Sequence, residues 1–409
     1  MSAGVYIHIP FCVKKCLYCD FVSACGSGKD MDKYQKALIN EMKLTKICGQ
    51  ADSVFFGGGT PSVYPVEHIA EIIEVLKQKS AISKNAEMTI EVNPGTVDMS
   101  KLKSYLAMGI NRLSIGLQSA DNTELKALGR IHDYYEFLST FENARSAGFD
   151  NINVDLMSAI PGQTITSYEN TLRKVVSLNP EHISAYSLII EEGTPFYELY
   201  GEMANSGDEE NTGQMKISSE DRKSAVIGHT EKTVQLKLPS EDEEREMYYL
   251  TKKYLAENGY ARYEISNYSK PGYECRHNIK YWSRNDYYGF GTAAASLVNN
   301  ERYVNTQDRK YYIQENGNPQ KIKREHMKLT ISEQMEEFMF LGLRKTDGVS
   351  YVEFKDYFGR DMDEIYKDVI EKEVKNGLLI KDEKKLRVYL SERGIDMSNM
   401  VMAEFLFCE

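Results

Sequence analysis

The 409-residue chain has no apolar stretch long enough to span a bilayer, a task that takes about 20 residues. No cleavable leader is read at its start, because the first apolar run leads straight into a cysteine loop. Positive charge is in deficit, with 50 Lys and Arg against 61 Asp and Glu and a net charge of −11. That balance argues against broad electrostatic capture of nucleic acid or anionic lipid. It leaves local basic faces and at most peripheral contact with a membrane. Tryptophan occurs once, and cysteine occurs seven times, an odd and unevenly placed set. A disulfide framework does not fit that count, and a reducing cytoplasm does. Cys25, Cys48 and Cys408 have no evident partners and read as free thiols.

What is present is concentrated near the start. Val5, Ile7 and Ile9 belong to a short apolar run that reads as a buried strand, and Pro10 ends it because proline cannot continue a ladder. Cys12, Cys16 and Cys19 follow on a short loop. Thiolates so close can converge on one metal centre. A four-iron cluster normally takes four thiolates, so three would leave one iron open to an outside ligand. Structural zinc, a disulfide and simple burial are the alternatives. Zinc sites mostly pair two C-x2-C units to make four protein ligands, and the chain has no second pair.

Further along, strands are expected at 52–56, 87–92, 112–117, 152–157 and 182–190, alternating with helices at 32–46, 65–77, 100–108, 134–148 and 168–178. That alternation implies parallel βαβ units with right-handed crossovers. With the first strand there are six, which predicts an α/β fold built on a partial (β/α)6 barrel. Polar and glycine-rich signatures fall at the C-terminal ends of the strands: Gly57-Gly58-Gly59-Thr60, Glu91-Val-Asn93, Gln118-Ser119 and Glu191-Glu192. In a β/α barrel that is the ligand-binding face. The barrel core is assigned to 1–200. An acidic, polar insertion or mobile loop is assigned to 201–236, and a barrel-flanking segment to 237–326. Residues 327–409 read as three helices and a hairpin, a winged-helix-like domain. Its third helix carries Asp363, Glu364, Asp368, Glu371 and Glu373, which would meet phosphates unfavourably. A docked lid or partner-binding module is expected there, and a DNA-binding regulator is the reading this disfavours.

Cys-x3-Cys-x2-Cys after a first strand resembles the radical S-adenosylmethionine (SAM) superfamily. The resemblance implies a [4Fe–4S] cluster on Cys12, Cys16 and Cys19. Its open iron chelates the amino and carboxylate groups of SAM, and an electron from a donor cleaves the sulfonium bond. It also assigns Tyr6, Gly58, Gly59, Thr60, Glu91, Gln118, Arg130, Asp155 and the backbone near Ile189 to SAM. Arg112-Leu-Ser-Ile-Gly-Leu-Gln-Ser119 and Asp155-Leu-Met-Ser-Ala-Ile-Pro-Gly-Gln-Thr164 are similar to the coproporphyrinogen dehydrogenase subgroup. Those enzymes carry a fourth cysteine where this chain has Phe21. Cys19-Asp20-Phe21 is instead the pattern of HemW-type heme chaperones.

Cys275-Arg-His277-Asn278-Ile-Lys-Tyr281-Trp282 matches the His-Asn-x-x-Tyr-Trp signature associated there with heme. The resemblance implies His277 as a ligand for heme iron, with Asn278 in the signature and Tyr281 and Trp282 as flat faces for the porphyrin. The competing expectation is that His277 and Trp282 only pack the open side of the barrel. Gly289-Phe-Gly-Thr-Ala-Ala-Ala-Ser296 has no histidine, so a second axial ligand is not named. The resemblance thus implies a cytoplasmic heme chaperone serving a heme-acceptor protein. The alternative is an oxygen-independent coproporphyrinogen III dehydrogenase, against which Phe21 speaks.

Overall fold

The computed structural model describes residues 2–79, 82–206 and 236–407. Six parallel strands run side by side in chain order: β1 (Ser2–Ile9), β2 (Gln50–Gly58), β3 (Ile82–Val92), β4 (Arg112–Gln118), β5 (Ile152–Ser158) and β6 (His182–Ser187). Val5, Ile7, Ile9, Val54, Phe56, Ile90, Leu113, Ile115, Val154 and Leu156 alternate along them, fully buried. They share one core with the apolar faces of the surrounding helices. On the helix Val66–Lys79 those are the expected Ile69, Ile72, Ile73 and Leu76.

The intervening positions are polar. Tyr6, Ser53, Glu87, Glu91, Arg112, Ser114, Asn153, Asp155 and His182 share the opposite face of the arc. Arg112 is among the largest fully buried side chains. Burying so many polar groups is tolerable only where they satisfy one another. Asn153 on β5, for instance, donates to both Ser114 on β4 and Asp155 on its own strand.

The arc does not close on itself, and both of its edges are extended. β6 pairs antiparallel with β8 (Asn267–Ser269), which pairs with β7 (Ala261–Arg262). β1 pairs in parallel with β9 (Tyr287–Phe290), followed by antiparallel β10 (Ala295–Val298), β11 (Glu301–Asn305) and β12 (Lys323–Lys328). The result is one 12-stranded sheet. The flanking segment therefore supplies edge protection that its sequence does not announce.

The helix Pro195–Ser206 carries the chain past position 200, where the sequence reading begins the polar insertion. The rest of that insertion, from 207 to 235, and Cys408 lie outside the described residues.

The C-terminal part has its own core around Met339, Phe354, Tyr366, Ile370 and Val388. Helix Ile331–Gly342 is followed by β13 (Val349–Ser350) and helices Tyr351–Phe358 and Met362–Lys375. The hairpin β14 (Leu379–Asp382) and β15 (Arg387–Leu390) follows, with β15 in the centre of the small sheet, and two short helices, Glu392–Asp396 and Ser398–Ala403, come after it. Helix, strand, two helices and a hairpin is the expected winged-helix order. Its third helix uses some of its acidic side chains internally: Asp363 pairs with Lys381 at 2.9 Å, and Glu373 is buried.

This domain sits on the flanking segment. Arg284 Nε donates to Glu337 Oε2 at 2.9 Å, Arg302 pairs with Glu337 at 2.7 Å, and Arg344 lies 4.4 Å over the Trp282 ring.

Candidate functional site

At the C-terminal mouth of the arc the cysteine loop leaves β1 and is stitched to the end of β2. Gly59 N donates to Ile9 O at 2.9 Å, and Thr60 N donates to Phe11 O at 2.8 Å. The glycines permit this approach. A Cβ on Gly59 would stand 2.8 Å from Phe11 O and 2.9 Å from Phe11 N, both backbone atoms that cannot swing away. Gly58 has φ +112°, and a Cβ there would meet the His8 ring at 2.6 Å. Gly59→Ala should therefore cost about 1–3 kcal/mol, as overpacking commonly does. It should also loosen the cysteine loop, seen as a lowered melting temperature with poorer iron retention. An alanine protein with wild-type melting and iron content would contradict this packing.

The loop, the glycines and the strand ends enclose one open cavity of about 140 Å³. Cys12, Cys16, Cys19, Gly58, Gly59, Thr60, Glu91, Gln118, Arg130 and Asp155 all line it. They come from six separate stretches of chain, and the fold brings them together as the sequence reading expects. Tyr6 lies beneath them on β1, its hydroxyl 3.2 Å from His8 Nδ1. Ile189 is 67% exposed and does not line the cavity. Phe21, at the position of the dehydrogenases' extra cysteine, sits on the rim at 60% exposure.

Asn93 belongs to the polar signature that ends β3, but the sequence assigns it no role. Its Nδ2 donates to Thr60 Oγ1 at 2.8 Å, and its Oδ1 accepts from Arg130 Nη2 at 3.0 Å. It thereby holds two residues that reach the sulfurs: Thr60 Oγ1 lies 3.5 Å from Cys12 Sγ, and Arg130 Nη1 lies 3.5 Å from Cys16 Sγ. Its signal was its place two residues beyond Glu91, on the same face of the same strand end. Gln118 holds a left-handed backbone, φ +73°, at a break in the β4–β5 register. Such bulges and strained residues re-aim side chains at functional sites.

Burial dominates the electrostatics. It pushes the Glu91 carboxyl up to about 8, with Asp155 adding to the effect and the Gly58 N–H and Arg112 opposing it. Asp155 is also raised by burial, against hydrogen bonds from Asn153, Ser114 and Ser184. Burial pushes the Cys19 thiol up to about 11. Two carboxyls held above their ordinary range suit a ligand that brings positive charge, which would favour their ionised forms.

Among the described residues no three of His, Cys, Asp and Glu gather around a point where one metal ion would sit. The three thiols instead line the wall of one cavity, and Arg130 Nε is buried there without a partner. This donor set fits a cluster held at three corners, with backbone and carboxyl groups left for a small cationic ligand. It does not fit structural zinc.

The His-Asn-x-x-Tyr-Trp stretch lies at the other end of the arc. It forms the helix Arg276–Trp282, whose first N–H groups are capped by the Glu87 carboxylate. The Arg276 and His277 nitrogens each donate to it at 3.1 Å. His277 is 1% exposed. Its Nδ1 is 3.0 Å from Ser53 Oγ, its Nε2 is 2.9 Å from Tyr281 OH, and its ring stacks on Phe55 at 5.3 Å. Burial pushes its pKa down to about 3, so it is neutral. In this conformation neither ring nitrogen is open to a metal. The side that His277 and Trp282 pack is the floor of the barrel, not its open mouth. Tyr281 meets Tyr287 edge-on at 4.6 Å, and Trp282 lies under Arg344. Asn278 is half-buried beside them, its N–H bonded to Cys275.

Two family profiles match separate parts of the chain. The profile of the Radical SAM superfamily matches residues 6–175, and that of the HemN C-terminal domain matches residues 329–396. The chain is 36% identical to the heme chaperone HemW of Bacillus subtilis over 98% of its own length and 99% of that protein's. It is 33% identical to the Escherichia coli heme chaperone HemW, over 72% of this chain and 70% of that one. The solved structure of coproporphyrinogen III oxidase (HemN) from Escherichia coli, described as a radical SAM enzyme, superposes with a TM-score of 0.79. It covers 98% of this chain and 89% of that one at 21% identity, which establishes the shared fold. Profile matches and full-length relatives together place the chain in the radical SAM superfamily, as a member of the HemW family.

Proposed function

We propose that this chain is a heme chaperone. It carries a [4Fe–4S] cluster on Cys12, Cys16 and Cys19, binds SAM at the mouth of the barrel, and holds heme for delivery to an acceptor protein. The observation that carries the reading is a pairing: Phe21 stands where a dehydrogenase needs a further cysteine, while the His277–Trp282 signature is intact in a full-length relative of HemW.

The chain's own residues divide the work. The three cysteines hold the cluster, with Thr60 and Arg130 directed at two of the sulfurs. Such outer contacts tune affinity and charge at a metal centre. The glycines leave backbone groups of the Gly58–Thr60 stretch accessible to a ligand, and Glu91 and Asp155 supply negative charge for an amino group or sulfonium. When bound, the cluster supplies an electron for cleavage of the sulfonium bond. That electron comes from a separate donor.

For His277 to meet heme iron, it must exchange Ser53 or Tyr281 for the metal, so heme uptake opens the floor. His277→Ala should weaken hemin binding at least about tenfold, since even an outer partner of a ligand commonly costs that much. It should also shift the Soret band. Unchanged affinity and spectrum would remove His277 from the site. Anaerobic incubation with coproporphyrinogen III, SAM and a reductant should yield no protoporphyrinogen, and its formation would overturn the chaperone reading.

A further inference from the structure

The polar interior of the barrel contains one continuous chain of hydrogen bonds from the cavity to the signature helix. Asn153 Nδ2 donates to Asp155 Oδ1 and to Ser114 Oγ, each at 2.7 Å, and Ser114 Oγ donates to Asp155 Oδ2 at 3.1 Å. That leaves Asn153 Oδ1 as an acceptor, 2.6 Å from His182 Nδ1. Burial keeps His182 neutral, so its Nδ1 carries the proton and its Nε2 accepts from Tyr263 OH at 2.8 Å. The same hydroxyl accepts from Cys275 N at 3.2 Å. Cys275 is the residue at which the helix Arg276–Trp282 begins.

Two features make this more than a packed core. First, every donor points the same way, from Cys275 N–H through Tyr263, His182 and Asn153 to Asp155. Aligned bonds in a low dielectric polarise one another, so a change of charge at one end is felt along the row. Second, Tyr263 is also a junction with the C-terminal domain, since its carbonyl accepts from Thr346 N at 3.0 Å. Asp155 lines the cavity, and the far end of the row is the helix that buries His277.

We propose that occupation of the mouth by SAM and the seating of the helix Arg276–Trp282 are energetically coupled through this row, with Tyr263 as the positioning residue at its branch point. A positive group set against Asp155 favours its ionised carboxylate, which burial otherwise disfavours, and the carboxylate draws the donors toward it and tightens the hold on Cys275 N–H. Removing that group relaxes the hold and frees the floor to open. Coupling of this kind is reciprocal: whatever unseats the helix weakens SAM binding by the same factor. The inference rests on the proposed function only in taking SAM as the ligand at the mouth.

The single tryptophan lies on this helix, so its emission reads the helix and its contact with Arg344. Full-length, cluster-reconstituted protein should show a saturable change in Trp282 emission on titration with SAM, at the midpoint found for SAM binding by calorimetry. Tyr263→Phe keeps the ring and removes the relay hydroxyl, and should abolish the change. Amide exchange across 276–282 should slow on adding SAM by about fivefold or more, the low end of ordinary coupling between sites, and should not slow in Tyr263→Phe. Should Tyr263→Phe misfold, His182→Phe breaks the row one step earlier and should give the same outcome. SAM binding with no response at Trp282 and no change in exchange overturns the coupling alone. An equal response in wild type and variant overturns the route. Failure of SAM to bind at all removes the reading of the mouth and the coupling with it.

Discussion

Anaerobic reconstitution of Cys12→Ala, Cys16→Ala or Cys19→Ala should leave protein with at least about tenfold less iron and acid-labile sulfide than wild type. Loss of an outer-shell partner alone commonly costs tenfold to a hundredfold in metal affinity, and each of these thiols is a direct ligand in the proposed site. The three share one cavity wall, and two are addressed by separate polar groups, Thr60 and Arg130. Among the described residues, no further cysteine and no histidine lines that cavity. Cys25 is the internal control. It is exposed, and its thiol donates to the carbonyl of Val13 at 3.1 Å. Cys25→Ala should therefore keep its iron. Equal loss from all four variants would point to general unfolding of the loop, not to ligation by three sulfurs.

Glu91→Gln should have two effects of opposite sign. Folding holds the Glu91 carboxyl at about 8, above its ordinary 4.5, chiefly through burial. An acid whose pKa is raised on folding binds a proton in the native state that the unfolded chain has released. Its contribution to stability is thus lost as pH rises from about 4.5 through 8. Glutamine cannot ionise, so the unliganded variant should melt a few degrees higher than wild type at pH 8 and show little difference near pH 4.5. Binding of SAM should move the other way. A cationic ligand needs the ionised carboxylate, so below about 8 it competes with a proton. Wild-type affinity should fall by up to tenfold for each unit of acidification, the limit for release of one proton. Glu91→Gln should bind at least about tenfold more weakly at pH 8 and lose that pH slope, as calorimetry would report. A variant both less stable and unchanged in affinity would mean that Glu91 serves the fold and not the ligand.

Much of the barrel is legible in the sequence because a buried parallel strand is a dense apolar signal. Val5, Ile7, Ile9, Leu113, Ile115, Val154 and Leu156 all announce themselves this way. The mouth is legible because glycine and polar residues interrupt those runs at their C-terminal ends. The limits have identifiable causes. β7 to β12 run from two to six residues each, and β12, Lys-Arg-Glu-His-Met-Lys, is polar except for Met327 and almost wholly exposed. Edge strands of that kind carry no periodic signal.

The helix that Pro195 opens is assigned no element by the sequence reading, although a first helical position suits a residue without an N–H. β6 ends at Ser187 and not at 190, because its neighbour β5 ends at Ser158 and offers no partner beyond the bond from Leu188 N. The floor was illegible altogether. That His277 would be sealed against Ser53 and Phe55 depends on contacts more than 200 residues apart in sequence. The relay through His182 and Tyr263 is likewise a product of tertiary packing. Neither residue belongs to a motif, and a single histidine on a strand is ordinarily part of the core.

In the proposed site three cysteines hold a cluster whose open iron faces the SAM pocket lined by Gly58, Gly59, Thr60, Glu91, Gln118, Arg130 and Asp155. The decisive experiment is electron paramagnetic resonance of the anaerobically reduced, reconstituted protein with and without SAM. A [4Fe–4S] signal is expected whose g-values shift when SAM is added, with a smaller shift at the same SAM concentration in Glu91→Gln. A signal indifferent to saturating SAM, or a cluster signal retained in the triple Cys→Ala protein, would contradict that site.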